Sequence, residues 1–247
     1  MTPSTIRIHT FDTARELGQA AGAHAAELLR QRLSRPGVAR VMLAAAPSQQ
    51  HTLEALTAAA DLDFSRVEFF HMDDYLGLDP EAPQAFGNWL DRVVFSRVVP
   101  AAFHRIDPRR GAAEESRRYG EVMGSEPFDL VLCGLGVNGH LAFNDPPADF
   151  EDPEPARAVV MDEASRRQQY DEGHFPTLDS VPTEAITVTI PRLLNARDVI
   201  VSVPGDAKRQ AVLETLDAPV SGIHPGTALR THPSVDLYLD ADSDPRR

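Results

Sequence analysis

The sequence predicts an α/β protein of three layers, in which helices flank a Rossmann-like, mostly parallel central sheet. Short apolar runs alternate with stretches of helical spacing along most of the chain, which indicates strands joined by helical crossovers. A chain of 247 residues with 42% hydrophobic and 25% charged content can bury one sizeable core. We therefore expect one domain spanning residues 1–247.

The individual elements follow from the period of the apolar residues. Apolar or alternating runs predict strands at residues 6–8, 39–45, 67–71, 128–133, 186–189, 198–203 and 235–239. Helical spacing predicts helices over residues 14–33, 51–60 and 207–216, the last with Asp206 as its cap. The final residues, DADSDPRR, are expected to fray.

Residues 144–180 have little periodicity and are rich in proline, glycine and charge, although MDEASRRQQY is compatible with a helix. Long irregular segments in compact domains often serve as lids or binding loops. We expect this segment to behave as a lid over a site.

Composition excludes several classes of partner. The 24 basic and 37 acidic residues give a formal charge of −13, which disfavours nucleic acid and anionic lipid but allows a small anion at a helix start. Cys133 is the single cysteine and lies in an apolar run, so we expect a core thiol, no internal disulfide and a reducing, cytoplasmic location. No stretch has the length and apolarity of a signal peptide or membrane span.

Ligands of open parallel sheets bind beyond the carboxyl ends of the strands. Three loops follow predicted strands in this way: AAAPSQQ at 44–50, HMDDYLGL at 71–78 and GLGVNGHLAFND at 134–145. These loops are the predicted site.

The third loop admits two interpretations. Its glycines match G-x-G-x-x-G over residues 134–139, but the motif lies in mid-chain and lacks the acidic residue expected about 20 positions later in a dinucleotide site. Glycines such as Gly136 also allow close approach of backbone to a ligand. His140, which follows them, is a candidate acid or base near neutral pH, or else a loop histidine that only binds a carbonyl.

Asp73 and Asp74 follow the strand VEFF. Adjacent residues at a strand end point in opposite directions, so we expect one carboxylate to enter a cleft as a base, unless both are solvated. Neither His71 with these acids nor His224 with His232 has the spacing of a specific metal site, so no metal is expected.

The two motifs HMDDYLGL and GLGVNGHLAFNDP together resemble the glucosamine-6-phosphate deaminase/isomerase family, and the similarity extends from Ala39 to Leu239. The resemblance implies isomerisation of an open-chain amino sugar phosphate from aldose to ketose, with release of ammonia and without metal or cofactor. The related 6-phosphogluconolactonases typically carry G-H-T-A-S-L-F where this chain has GHLAFND. The implied partner is a small sugar phosphate, and assembly into a homo-oligomer stays open.

The resemblance also implies roles for individual residues. Asp73 matches the base that moves a proton between C2 and C1, and His140, oriented by Asn138 and Asp145, matches the acid/base that opens the sugar ring. The residues that match or replace substrate-binding positions, mainly around the phosphate, are Ser48, Gln49, Gly136, Arg166 and Lys208.

Five residues depart from the family pattern. Asn138 stands where an aspartate is frequent, and Asp145 replaces a glutamate, which shortens the side chain by about 1.5 Å. In the phosphate loop, Ser48, Gln49 and Gln50 replace a threonine and a glycine pair. Two alternatives follow: a catalytically silent sugar-phosphate sensor, and a lactonase in which His140 activates water.

Overall fold

A computed structural model describes residues 6–247. Seven parallel strands form the central sheet, in the order β1, β10, β9, β6, β2, β3, β5. Their bounds are β1 Arg7–Thr10, β2 Ala39–Leu43, β3 Val67–His71, β5 Ala102–His104, β6 Phe128–Cys133, β9 Ala196–Val203 and β10 Val235–Leu239. The predicted α/β fold with a mostly parallel sheet is confirmed.

Helices cover both faces of this sheet. Their bounds are α1 Ala14–Leu33, α2 Gln50–Thr57, α3 Phe86–Leu90, α4 Ala112–Met123, α5 Glu163–Asp171, α6 Ile190–Leu193 and α7 Arg209–Asp217. Alternation along β2 sends Val41 and Leu43 into the core beneath α1 and α2, and Met42 into the core that contains Tyr119 of α4 and Val212 of α7. Residues buried on both faces explain why the central strands are mostly apolar.

Helix α1 begins with a capping box, in which Thr13 accepts a hydrogen bond from the Glu16 amide and Glu16 accepts one from the Thr13 amide. Two of its glycines lie against α2. A Cβ at Gly18 would be 2.3 Å from the Cβ of His51, so only a bare backbone allows the two helices to approach this closely. This contact holds the first turn of α2 beside the loop that follows β2.

A second, antiparallel sheet was absent from the sequence prediction. It contains β4 Asp73–Tyr75, β8 Glu184–Val188 and β7 Ala156–Val160, in the order β4, β8, β7. The predicted strand at 186–189 is therefore part of this small sheet rather than the parallel one. Segment 144–180, expected to be irregular, contains β7 and α5, and the helix anticipated in MDEASRRQQY is confirmed.

Two predictions near the C-terminus are wrong. A 3-10 turn, Asp206–Lys208, precedes α7 and starts after Gly205, and Asp206 makes no capping hydrogen bond. The final residues are packed rather than frayed: the carboxylate of Asp240 accepts the Gly205 amide at 3.1 Å and 3.0 Å, and the Thr10 hydroxyl donates to Asp244 at 3.0 Å. Polar side chains that bind backbone amides hold this segment in place.

Candidate active site

The candidate site lies where the order of the central sheet reverses. Strands β2 and β6 are neighbours, but the chain continues from β2 outward to β3 and β5, and from β6 outward to β9 and β10. The loops leaving β2 and β6 therefore diverge and open a crevice between them. The crevice contains residues of all three loops selected from the sequence, including Ser48, Gln49, Asp73, Gly134, Gly136 and His140, together with Gln168 and Gln169 of α5.

Asp73 is the first residue of β4 and lines this cleft with a side chain that is largely buried. No group within residues 6–247 donates a hydrogen bond to its carboxylate. Burial raises the pKa of Asp73 well above its usual value, and the negative charge of Asp74 raises the pKa further. A carboxylate in this setting is a stronger base than one in water.

Asp74 has a structural environment instead. Its carboxylate accepts the amides of Tyr75, Phe86 and Gly87 at 2.9, 2.9 and 3.1 Å, which anchors the start of α3. Burial raises the pKa of Asp74 to about 6, although these amides oppose the increase. Of the two adjacent acids, one thus lines the cleft and the other binds backbone, which is the arrangement that strand geometry predicts.

His140 is held through one of its ring nitrogens. Nδ1 lies 3.2 Å from the Oδ1 atom of Asp145 and 2.8 Å from the Ser165 hydroxyl, which itself donates to Asp145. The other nitrogen, Nε2, has no hydrogen-bond partner in the described part of the chain and belongs to a side chain that lines the cleft. The arrangement places a proton on Nδ1 and leaves Nε2 to exchange one with a ligand.

Asp145 is ionised by its surroundings. Burial alone raises the pKa of this carboxyl, but the hydrogen bond and charge of His140, with hydrogen bonds from Ser165 and Asn138, outweigh burial and lower the pKa to about 2. Aspartate reaches His140 despite its short side chain because the loop and α5 close around it. The Asp162 amide donates to the second carboxylate oxygen at 3.0 Å.

Asn138 contacts the backbone of His140 rather than its ring. Its Oδ1 atom accepts the His140 amide at 3.1 Å, and its Nδ2 atom donates to Asp145 at 3.0 Å and to Asp162 at 2.9 Å. Asn138 therefore acts on His140 through its backbone amide and, by way of Asp145, on its ring. Its amide holds two carboxylates side by side, and Asp145 with Ser165 orients the ring.

Gly136 lies beneath the imidazole. A Cβ on this residue would be 2.2 Å from Cε1 of His140, so the ring occupies the space that any side chain would need. The turn closes through the Gly139 amide, which donates to the Gly136 carbonyl at 3.0 Å, and Gly139 has a φ of +81°. In this structure Gly136 packs against the His140 ring. Contact between Gly136 and the substrate stays a prediction.

The altered loop after β2 forms a 3-10 turn, Pro47–Gln49, that leads into α2. The buried amide of Gln49 donates to the Ser202 carbonyl at 2.9 Å and to the Ser48 hydroxyl at 3.2 Å, and its Nε2 atom would be 2.7 Å from a Cβ on Gly134. The Oε1 atom of Gln49 is buried without a hydrogen-bond partner among residues 6–247. A glutamine side chain thus fills part of the space where a bare loop was expected to bind phosphate.

The two predicted cations are both engaged inside the protein. Arg166 donates to the carbonyls of Leu178 and Val181 at 3.1 and 3.2 Å, which ties α5 to the turn that follows. Lys208 is buried, with Nζ 3.3 Å from Oε1 of Glu172. Neither belongs to the cleft lining described above, and their binding of an anion stays a prediction.

Sequence reasoning missed several residues of the site, all of them on α5 or at its ends. They are Asp162, which accepts the Ser165 amide as the helix cap, Ser165 itself, Gln168, Gln169 and Glu172. The available signal was the spacing D-x-x-S at the start of a helical stretch, which is typical of an N-cap. That signal predicts a helix start but not its contact with the loop at His140.

The structure also bears on the single cysteine, on metal binding and on membrane insertion. Cys133 is completely buried, which raises the pKa of its thiol to about 12, so the predicted core thiol is confirmed. The part of the chain from residue 6 onward contains no cluster of three or more His, Cys, Asp or Glu side chains suited to a metal ion. Across the same residues no helix has the length and apolarity to cross a membrane.

Known proteins similar to this chain carry related names. A family model described as "Glucosamine-6-phosphate isomerases/6-phosphogluconolactonase" matches residues 12–234. A glucosamine-6-phosphate deaminase of Streptococcus sanguinis strain SK36 is 30% identical over 223 residues, which are 90% of this chain and 92% of the relative. A glucosamine-6-phosphate deaminase from Streptococcus pneumoniae serotype 4 is 29% identical, over 90% of the length of this chain and 93% of the length of the relative.

Solved structures give the same grouping. A monomeric glucosamine-6-phosphate deaminase superposes with a TM-score of 0.88 at 26% identity, over 96% of this chain and 98% of its own. A 6-phosphogluconolactonase from Thermotoga maritima superposes with a TM-score of 0.78 at 17% identity, over 96% of this chain and 100% of its own, and this second likeness concerns the fold alone.

Proposed function

Because the chain belongs to the glucosamine-6-phosphate isomerase/6-phosphogluconolactonase family, we propose that it is a deaminase acting on an amino sugar 6-phosphate. The reaction converts an open-chain amino aldose to a ketose and releases ammonia. The observation that carries the proposal is the placement of Asp73 and His140 on one cleft, with Nδ1 of His140 held by Asp145 and Nε2 free.

His140 opens the pyranose ring. Asp145 and Ser165 hold Nδ1, so Nε2 is the nitrogen that takes the proton of the C1 hydroxyl and gives it to the ring oxygen as the bond between that oxygen and C1 breaks. The ionised Asp145 beside Nδ1 stabilises the positive charge that the imidazole carries while Nε2 holds this proton. Ring opening exposes the C1 aldehyde that the next step requires.

Asp73 then removes the proton from C2. The electrons of the broken C–H bond form a double bond between C1 and C2, and those of the C1 carbonyl bond pass to its oxygen, which takes a proton from water and gives an enolamine. Return of the proton at C1 leaves an imine at C2; water adds to it and ammonia departs. The burial of Asp73 raises its pKa and thereby its basicity, as proton abstraction beside a carbonyl requires.

We assign this activity to amino sugar catabolism, including use of N-acetylglucosamine, in the cytoplasm. The proposed reaction, which removes the amino group as ammonia, supports the catabolic role. The single, buried cysteine, which is typical of proteins from a reducing compartment, supports the cytoplasm.

The proposal is tested by measuring ammonia release by the purified protein from glucosamine, galactosamine and mannosamine 6-phosphates. We expect turnover of at least one, and none on all three would contradict it. A parallel assay with 6-phosphogluconolactone separates lactone hydrolysis, and binding of all these ligands without turnover would indicate the sensor alternative.

A further inference from the structure

The ammonium group of Lys208 is neutralised by a carboxylate of the protein itself. Nζ lies 3.3 Å from Oε1 of Glu172, and the Lys208 side chain is only 9% exposed. Burial lowers the pKa of Lys208, and the nearby Glu172 only partly offsets this effect. The position that the family resemblance assigns to a phosphate-binding cation thus already holds an anion.

The hydrogen bonds of Glu172 are incomplete. Its Oε1 atom accepts from Gln168 at 2.8 Å and contacts Lys208, but Oε2 is buried without a hydrogen-bond partner in the described chain. Nε2 of His174 lies 3.7 Å from Oε2, and it too is buried without a hydrogen-bond partner among residues 6–247. Burial raises the pKa of Glu172, but His174, Lys208 and Gln168 outweigh burial and lower this pKa. Oε2 itself has no donor within hydrogen-bond distance among residues 6–247, so a phosphate with more acceptor oxygens can replace this carboxylate at Lys208.

Two other residues expected to contact phosphate also have polar atoms that are unpaired within the described range. Oε1 of Gln49, in the loop expected to contact phosphate, and Nε of Arg166 are both buried without hydrogen-bond partners among residues 6–247. Gln49 and Arg166 thus each retain one buried polar atom that no group among residues 6–247 satisfies. Buried polar atoms in folded proteins are nearly always paired, so such atoms at a cleft indicate a ligand that completes them.

Glu172 is also connected to the loop that carries His140. It caps the C-terminus of α5, and Gln168 one turn earlier both donates to Glu172 and accepts the Val137 amide at 2.9 Å. Gln168 lines the cleft between these two contacts. Gln168 therefore links the ion pair of Glu172 and Lys208 to the lining of the cleft.

We propose that Glu172 is a specificity-determining residue that competes with the phosphate of the substrate for Lys208. The substrate phosphate exchanges with the Glu172 carboxylate, so only a strongly charged anion gains full access to the lysine. The identity of that anion as a sugar phosphate rests on the proposed function. The competition itself concerns the binding of any phosphate at Lys208.

The test is a calorimetric titration with inorganic phosphate of the wild type, Glu172→Gln and a control, Glu163→Gln, which removes an exposed charge from the first turn of the same helix. We expect Glu172→Gln to tighten phosphate binding about tenfold, because the ion pair no longer has to be broken. Glu163→Gln should stay within about twofold of the wild type, since an exposed charge contributes little. Unchanged or weaker binding by Glu172→Gln would overturn the proposal.

A second comparison excludes a general charge effect. In a Lys208→Met background, replacing Glu172 by glutamine should give no gain in phosphate binding, because the contested cation is absent. An equal gain in both backgrounds would overturn the competition. If Glu172→Gln is unstable, Glu172→Asp serves instead, since the shorter side chain should also release Lys208 and tighten binding.

These titrations need no turnover, so their outcome is separable from the deaminase assignment. Tighter phosphate binding by a protein that releases no ammonia would retain the competition and reject the deaminase. Ammonia release with unchanged phosphate binding would do the reverse.

Discussion

The carboxylate of Asp145 lies 3.2 Å from Nδ1 of His140, and the hydroxyl of Ser165, a residue of helix α5, contacts both groups. This contact joins the glycine-rich loop after β6 to the segment that was expected to form a lid. The loop and the helix cap therefore form one hydrogen-bonded unit, and its members should not be exchangeable one at a time.

Replacing Asp145 by asparagine should destabilise the protein in a pH-dependent way. Because the folded protein lowers the pKa of Asp145 from 3.8 to about 2, the ionised form stabilises the fold at every pH above 3.8. We expect a loss of about 2 kcal/mol at pH 7 that disappears as the pH falls from about 4 toward 2. Urea unfolding of both proteins at several pH values measures it, and a loss independent of pH would contradict the ion pair.

Replacing Asn138 by aspartate, the residue frequent in the family, should be harmful here. The new carboxylate would face Asp145 and Asp162, both of which now accept hydrogen bonds from the Asn138 amide. We expect a loss of about 1–3 kcal/mol in unfolding free energy and a lower kcat, because a donor is replaced by a like charge. Thermal denaturation provides the measurement. The loss should shrink at low pH, and a variant as stable as the wild type at pH 7 would contradict the role of the amide.

Adding a methyl group at Gly136 should displace the His140 ring, since a Cβ there would be 2.2 Å from Cε1. We expect Gly136→Ala to reduce kcat/KM about 100-fold, because misplaced catalytic groups cost at least this much. The matched control is Gly120→Ala in α4, where a Cβ would be 2.5 Å from Pro155, and neither of these residues lines the cleft. Both variants should lose stability, but a comparable loss of kcat/KM in the two would contradict the specific role of Gly136.

Asp73 should be a group whose charge costs stability. Its pKa is raised by burial, so the folded protein disfavours the ionised form, and the cost is present above the folded-state pKa and absent below the unfolded value of 3.8. We expect Asp73→Asn to raise the unfolding free energy by at least about 1 kcal/mol at a pH where Asp73 is ionised. This difference should vanish below about pH 4. Denaturant unfolding across that range measures it, and a destabilised variant would mean that Asp73 is structural.

The sequence predicted those elements whose residues are buried on both faces. Helix α1 and strands β3, β6 and β10 have the bounds expected from their apolar spacing, and the family resemblance drawn from the two loop motifs is confirmed. Burial makes each of these strands mostly apolar, with one acidic residue in each (Glu68, Asp129 and Asp236), and such a pattern is visible without any knowledge of neighbours.

The small sheet could not be predicted in the same way. β4 has three residues and contains two acids, and β7 is largely accessible on its surface, so neither has an apolar period of its own. Their strand conformation comes from pairing with β8, which lies more than a hundred residues from β4 in the sequence. Tertiary pairing of this kind overrides local propensity.

The partners of the predicted anion-binding residues were also out of reach. Nothing in the sequence around Lys208 indicates that Glu172 would bind it, because that contact depends on how α5 packs over the cleft. The same holds for Ser165 and His140. Sequence identified which residues carry reactive groups, whereas their hydrogen bonds follow from the three-dimensional arrangement.

The central claim is that Asp73 moves the proton between C2 and C1, and exchange of that proton with solvent tests it most directly. The measurement incubates the protein in deuterium oxide with the amino sugar 6-phosphate that it turns over, or with the ketose product, and follows deuterium at C1 and C2 by NMR. We expect exchange with the wild type, and none with Asp73→Asn, which should still bind the ligand with nearly unchanged affinity. Exchange that persists in the variant, or loss of binding in parallel with exchange, would contradict the assignment of Asp73 as the base.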